Sequence, residues 1–134
     1  MKRILIVDDE PHVIRIMRLA LENSGYTVDE AAHGLQALDY LQDHCPDVMI
    51  TDIDMPRLNG RELCLEIERT MPDRPFPVYV LTARAEDEHR EWSSALDNLY
   101  FMEKPVSIRR LLAVLDDHFA NSVTTGEQPC RSAH

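Results

Sequence analysis

Asp47-Val48-Met49-Ile50-Thr51, with Asp52 directly behind it, is a short and nearly continuous apolar run. A strand with one wet face alternates apolar and polar residues. A run without alternation, too short for a helix, reads instead as a strand covered on both faces. Residues 77–82 have the same character, and further short runs stand at Arg3–Val7, Thr27–Ala31 and 99–102. Segments of helical period separate and follow them. Val13, Ile14, Ile16, Met17, Leu19, Ala20 and Leu21 give the first a broad apolar stripe that ends at Asn23-Ser24-Gly25. Leu35, Leu38 and Leu41 mark a second, stopped near Pro46. Leu63 and Ile67 mark a third, which begins after Gly60 and is closed by Met71-Pro72. Residues 85–96 are helical in period but mostly charged, which predicts the weakest-packed helix of the set. A fifth helix has Ser107 as its candidate N-cap and carries Ile108, Leu111, Leu112, Leu115 and Phe119. Five alternating units of this kind predict an α/β fold with a parallel sheet and helices on both faces.

The apolar period is lost from about Asn121, so residues 1–120 read as one domain and 121–134 as a flexible tail or the start of a linker. A chain of 134 residues, 44% apolar and 28% charged, is the size and composition of a single soluble domain. A formal net charge of -10 argues against direct DNA binding, which needs clustered Lys and Arg. Cys45, Cys64 and Cys130 lack the spacing of a zinc site or redox pair and read as reduced thiols of a cytoplasmic protein. The apolar run behind Met1-Lys2-Arg3 stops at Asp8, too soon for an export signal, and no stretch approaches transmembrane length. A cytoplasmic protein without membrane association is the expectation.

In an open parallel α/β sheet, ligands bind outside the carboxyl ends of the strands. Asp8 and Asp9 follow the first run, Asp52 the third, Thr82 ends the fourth and Lys104 stands just past the fifth. Taken singly, each has a structural explanation: a helix cap, turn chemistry, a strand residue, a solvated charge. Together they put three carboxylates, a hydroxyl and an ammonium on one edge of the sheet. That set suits phosphoryl transfer to a carboxylate. Repulsion between an Asp nucleophile and an incoming phosphoryl group has to be offset by cations. Mg²⁺ takes one or two carboxylates and accepts a phosphate oxygen; Asp8 or Asp9, with Asp52, can supply them. Lys104 would then pair with a second phosphoryl oxygen and Thr82 donate to a third.

Val7-Asp8-Asp9-Glu10, Thr51-Asp52-Ile53-Asp54-Met55-Pro56 followed by Gly60, Leu81-Thr82-Ala83 and Lys104-Pro105 resemble the receiver domain of bacterial two-component response regulators, over residues 2–119. The resemblance implies a (βα)5 flavodoxin-like fold with strand order 2-1-3-4-5. It implies a switch activated when a sensor histidine kinase or phosphotransfer protein phosphorylates Asp52. The same resemblance implies Mg²⁺, with Mn²⁺ as an alternative ion, held by Asp8, Asp9, Asp52 and the backbone carbonyl of Asp54. Thr82 and Lys104 would contact the phosphoryl group, and Lys104-Pro105 would be a cis peptide. Phe101 stands at the family's aromatic switch position and, with Thr82, would change the face built from the fourth helix, fifth strand and fifth helix. A Phe lacks a hydroxyl, so that change would have to act through packing.

The implied partners are the phosphodonor protein, a downstream effector protein or domain, and a second copy docked through that face. No DNA-binding motif follows Phe119, which leaves a stand-alone receiver and a fragment of a longer regulator both open. Such a domain would be no enzyme beyond its own phosphorylation and dephosphorylation. Asp97-Asn98-Leu99-Tyr100 departs from the family's Gly-Ala-Asp-like turn. Arg84 and Asp54 flank the acceptor and are read as a pair that restricts an attacking water; Trp92 is read as a core anchor in preference to an exposed partner contact. Two rival readings are a haloacid-dehalogenase-like phosphatase, on Asp52-Ile53-Asp54, and a docking module that is never phosphorylated.

Overall fold

A computed structural model describes residues 2–53, 55, 58–82, 98–104 and 107–121. In chain order the described elements are β1 (Arg3–Val7), α1 (Pro11–Asn23), β2 (Thr27–Ala31), α2 (Gly34–Asp43), β3 (Val48–Asp52), α3 (Gly60–Thr70), β4 (Val78–Thr82), β5 (Leu99–Glu103) and α4 (Ile108–Asn121). Helix α4 is the one the sequence reading places fifth. The charged segment 85–96 with Trp92, and the tail 122–134, lie outside the described residues.

All neighbouring strands pair in parallel, in the order β2-β1-β3-β4-β5. Every residue of β3 and β4 is buried, whereas the edge strands β2 and β5 are buried only in part. The period of two divides the core cleanly. Leu5, Val7, Met49, Val78 and Val80 face α2 and α3 through Ala37, Leu41, Leu63 and Ile67. Ile4, Ile6, Val48, Ile50 and Leu81 face α1 and α4 through Ile14, Met17, Leu21, Leu111 and Leu115. Burying each such side chain contributes roughly 1.5–3 kcal/mol, so a run that is apolar at every position is stabilised on both of its faces. Strand β3 reaches one residue further than the apolar run because Asp52 still pairs with Leu81, and β5 reaches Glu103 because it pairs with Thr82.

Local signals end the helices where the sequence places them. Beyond α1, Gly25 adopts φ +98; its amide donates to Glu22 O at 3.0 Å, and that of Tyr26 to Leu21 O at 3.1 Å. Asn59 and Glu62 exchange side-chain to backbone hydrogen bonds of 2.8 and 3.0 Å at the start of α3. Ser107 Oγ accepts from the Arg110 amide at 3.3 Å at the start of α4.

The turn before β5 is resolved by Asn98, whose φ of 61 is the left-handed conformation that Asn tolerates better than most side chains. Its carbonyl accepts from the Val78 amide at 3.0 Å and from the buried guanidinium of Arg74 at 3.3 Å. Cys64 is a free buried thiol, pushed up to about 12 by burial. No described helix is long and apolar enough to cross a membrane.

Candidate functional site

Parallel pairing puts the carboxyl ends of all five strands on one edge. The ladder extends just far enough there to fix each side chain. The Asp8 amide donates to Ala31 O at 3.1 Å, holding the residue after β1 against β2. The Ile53 amide donates to Leu81 O at 3.2 Å and so anchors Asp52 from its far side. The Lys104 amide donates to Thr82 O at 2.8 Å and sets the lysine at the rim of β4. Gly60, the first residue of α3, presses on the same place. A Cβ on Gly60 would collide with the Asp52 carbonyl and lie 2.7 Å from Ile53 Cα.

Carboxylate oxygens of Asp8, Asp9 and Asp52 gather within 4.8 Å of one another. Asp8 and Asp52 are buried, at 2% and 4% exposure, while Asp9 is exposed. Lys104 Nζ lies 2.6 Å from Asp52 Oδ1. Burial raises the Asp8 carboxyl above its ordinary range; the hydrogen bond from the Glu10 amide, at 3.0 Å, opposes this, Asp52 adds to it and Lys104 opposes it again. Two buried acids and a third beside them, with one ammonium in contact, leave a charge imbalance that a divalent cation would relieve. The all-oxygen donor set is of the kind Mg²⁺ takes. The three carboxylates therefore fit such an ion.

Thr82 is fully buried at the last position of β4. Phe101 pairs with Val80 in the ladder and packs, half-buried, against the α2 and α3 side of the core. Asp54, Pro105 and hence the Lys104-Pro105 peptide, and Arg84 lie outside the described residues. A cavity of about 500 Å³ borders the acids, with Asp8 and Asp9 in its wall beside Arg15, Glu30 and Gln36. The sequence reading did not single out those last residues, since each reads as a solvated helix or strand position.

Five parallel strands in this order, with three acids and a lysine converging at their carboxyl ends, match a known family over most of the chain: residues 4–116 match the response regulator receiver domain. The chain belongs to that family. This receiver domain is 39% identical over 113 residues to the response regulator MprA of Mycobacterium sp. (strain KMS), covering 83% of the chain and 47% of the relative. It is 37% identical over 133 residues to MprA of Mycobacterium ulcerans (strain Agy99), covering 90% and 56%. The receiver domain thus spans about half the length of the curated relatives it matches.

Among solved structures, it superposes on the chemotaxis protein CheY4 of Vibrio cholerae with a TM-score of 0.79 and 28% identity, covering 87% of this chain and 98% of the other. It superposes on the response regulator TrrA of Thermotoga maritima, solved in complex with Mg²⁺-BeF, with a TM-score of 0.75 and 32% identity, again covering 87% and 98%. The fold class and the two-component signalling family inferred from the motifs both hold.

Proposed function

We propose that this receiver domain is a phosphorylation-activated switch in which Asp52 accepts a phosphoryl group from a sensor histidine kinase or phosphotransfer protein. The observation that carries it is the contact of Lys104 with Asp52 at 2.6 Å inside a group of carboxylates within 4.8 Å of one another. Asp8, Asp9 and Asp52 would hold Mg²⁺ or Mn²⁺, with the backbone carbonyl of Asp54 as a further ligand. The relative solved with Mg²⁺-BeF supports that assignment. When bound, the ion neutralises charge on the phosphoryl oxygens. An Asp52 carboxylate oxygen bonds to phosphorus as the bond to the donor's nitrogen breaks, and the leaving group takes up a proton. Lys104 then shifts from the carboxylate to a phosphoryl oxygen, and the Thr82 hydroxyl donates to another. Phe101 follows by packing and alters the face beside β5 that meets an effector or a second copy. Residues 1–120 act as the switch and residues 121–134 as tail or linker, in the cytoplasm and without direct DNA contact. Catalysis extends only to the domain's own phosphorylation and dephosphorylation.

Intact mass after incubation with Mg²⁺ and a small phosphodonor tests the reading. The expected result is an alkali-labile gain of one phosphoryl group that Asp52→Asn abolishes. No gain in the wild type would leave an unphosphorylated docking module, and turnover of phosphomonoesters would point to a phosphatase instead.

A further inference from the structure

Asp8 and Asp9 form one part of the wall of a cavity of about 500 Å³. That volume falls within the range of small-molecule sites, roughly 300–1,000 Å³. Helix α1 supplies Pro11, Ile14, Arg15 and Arg18 to the same wall, at spacings of three and four residues that put them on one helix face. Ala32, just past β2, and Gln36 of α2 stand across from them with Glu30.

The two arginines are in different positions electrically. Arg18 donates to Glu22 at 3.0 Å and to Glu30 at 2.6 Å, so its charge is already answered, and Glu30 is engaged with it. Among the described residues no carboxylate lies within ion-pair distance of Arg15. The Gln36 side-chain oxygen accepts from the Ala32 amide at 2.7 Å, which leaves its NH₂ as a donor. The wall thus combines an uncommitted guanidinium, an amide donor and the apolar surface of Pro11, Ile14 and Ala32. A short hydrocarbon ending in a carboxylate has the matching chemistry. Asp8 and Asp9 would repel such an anion, and they are the carboxylates that the proposed function assigns to Mg²⁺.

We propose that this cavity is a site for a short-chain carboxylate, with Arg15 and Gln36 on the carboxylate and Pro11, Ile14 and Ala32 against the hydrocarbon, and that its occupancy is coupled to metal at Asp8 and Asp9. Because binding linkage is reciprocal, a carboxylate that binds better with Mg²⁺ present raises Mg²⁺ affinity by the same factor. The coupling rests on the reading of Asp8 and Asp9 as metal ligands; the cavity does not.

Titration of the full chain with butyrate, followed by amide resonances, tests both parts. Butyrate is expected to bind in the millimolar range, as its few atoms allow, and to shift Ile14, Ala32 and Gln36. Acetate, which lacks most of the hydrocarbon, and butyramide, which lacks the charge, should each bind more weakly. Mg²⁺ at matched ionic strength should tighten butyrate about fivefold. Arg15→Ala should weaken butyrate about fivefold, the scale of one solvent-exposed ion pair, and Arg15→Lys should restore part of it. Arg69→Ala removes the same charge from α3 and controls for net charge; it should match the wild type. Absence of shifts at Ile14, Ala32 and Gln36, equal binding of butyramide, or equal losses in Arg15→Ala and Arg69→Ala overturns the site. Butyrate binding indifferent to Mg²⁺ overturns the coupling when calorimetry without butyrate shows that the ion binds. If the ion does not bind, the metal reading fails and the coupling with it, while butyrate alone still judges the cavity.

Discussion

Asp29 on β2 and Asp8 at the end of β1 sit on neighbouring strands of one sheet, yet the protein treats them in opposite ways. Asp29 accepts from the Tyr40 hydroxyl at 2.5 Å and from the Arg3 guanidinium at 2.8 Å. Burial works against its ionisation, but those two donors outweigh it and hold the carboxyl below its usual range. Asp8 is more deeply buried, is crowded by Asp52 and Asp9, and is raised above its usual range. An acid neutralised by its own fold contributes to stability. An acid kept among like charges does not, and a bound cation would relieve the deficit.

The largest effect should come from removing the lysine that touches Asp52. Lys104→Ala is expected to slow phosphoryl gain by about 10²-fold, the typical loss when a preorganised electrostatic contact is deleted. A time course of intact mass within twofold of wild type would reduce Lys104 to a solvating charge.

Asp29→Asn comes next and should lower stability by about 1–2 kcal/mol at pH 7, discounted because Arg3 and Asp29 are partly exposed. Because the folded carboxyl is depressed, its contribution is present above the ordinary carboxylate range and fades as pH falls through that range toward the lowered value. Urea unfolding at pH 7 and pH 3 should therefore show the two proteins converging in acid.

Asp8→Asn should have the opposite sign and the smallest size. Its folded carboxyl is raised, so ionised Asp8 costs stability that appears as pH rises from the ordinary range through the raised value. At pH 7 without metal, the variant is expected to be slightly more stable than the wild type, and at pH 3 no different from it. Added Mg²⁺ should raise the Tm of the wild type and not of the variant. A destabilised variant under metal-free conditions would break the contrast with Asp29.

The sheet was legible because its central strands are apolar over most of their length, and such runs without alternation are those covered on both faces. Strands β1 and β2 begin and end where their runs do, β4 and β5 differ by a residue at one end, and β3 is shifted by one residue at both. The acids, Thr82 and Lys104 were legible because strand ends in a parallel sheet share an edge. The Arg3, Asp29 and Tyr40 group was not. Its members come from β1, β2 and α2, each a polar residue on a partly exposed element, with no pattern in the chain that joins them. Asn98 was visible as a departure in the turn, but only the φ of 61 and the Val78 and Arg74 contacts show that it does the work of a glycine.

Periodicity and residue type, which act over a few residues, determined by themselves the alternating strands and helices, the helix ends and the chemical nature of the acidic edge. The tertiary structure alone decided which acid is neutralised and which is not, because that depends on donors brought within 3 Å from distant segments. It alone decided the reason for Gly34. In the sequence a glycine at a helix start is a local preference, while in the folded chain it is the space that Leu58, carbonyl and side chain, occupies.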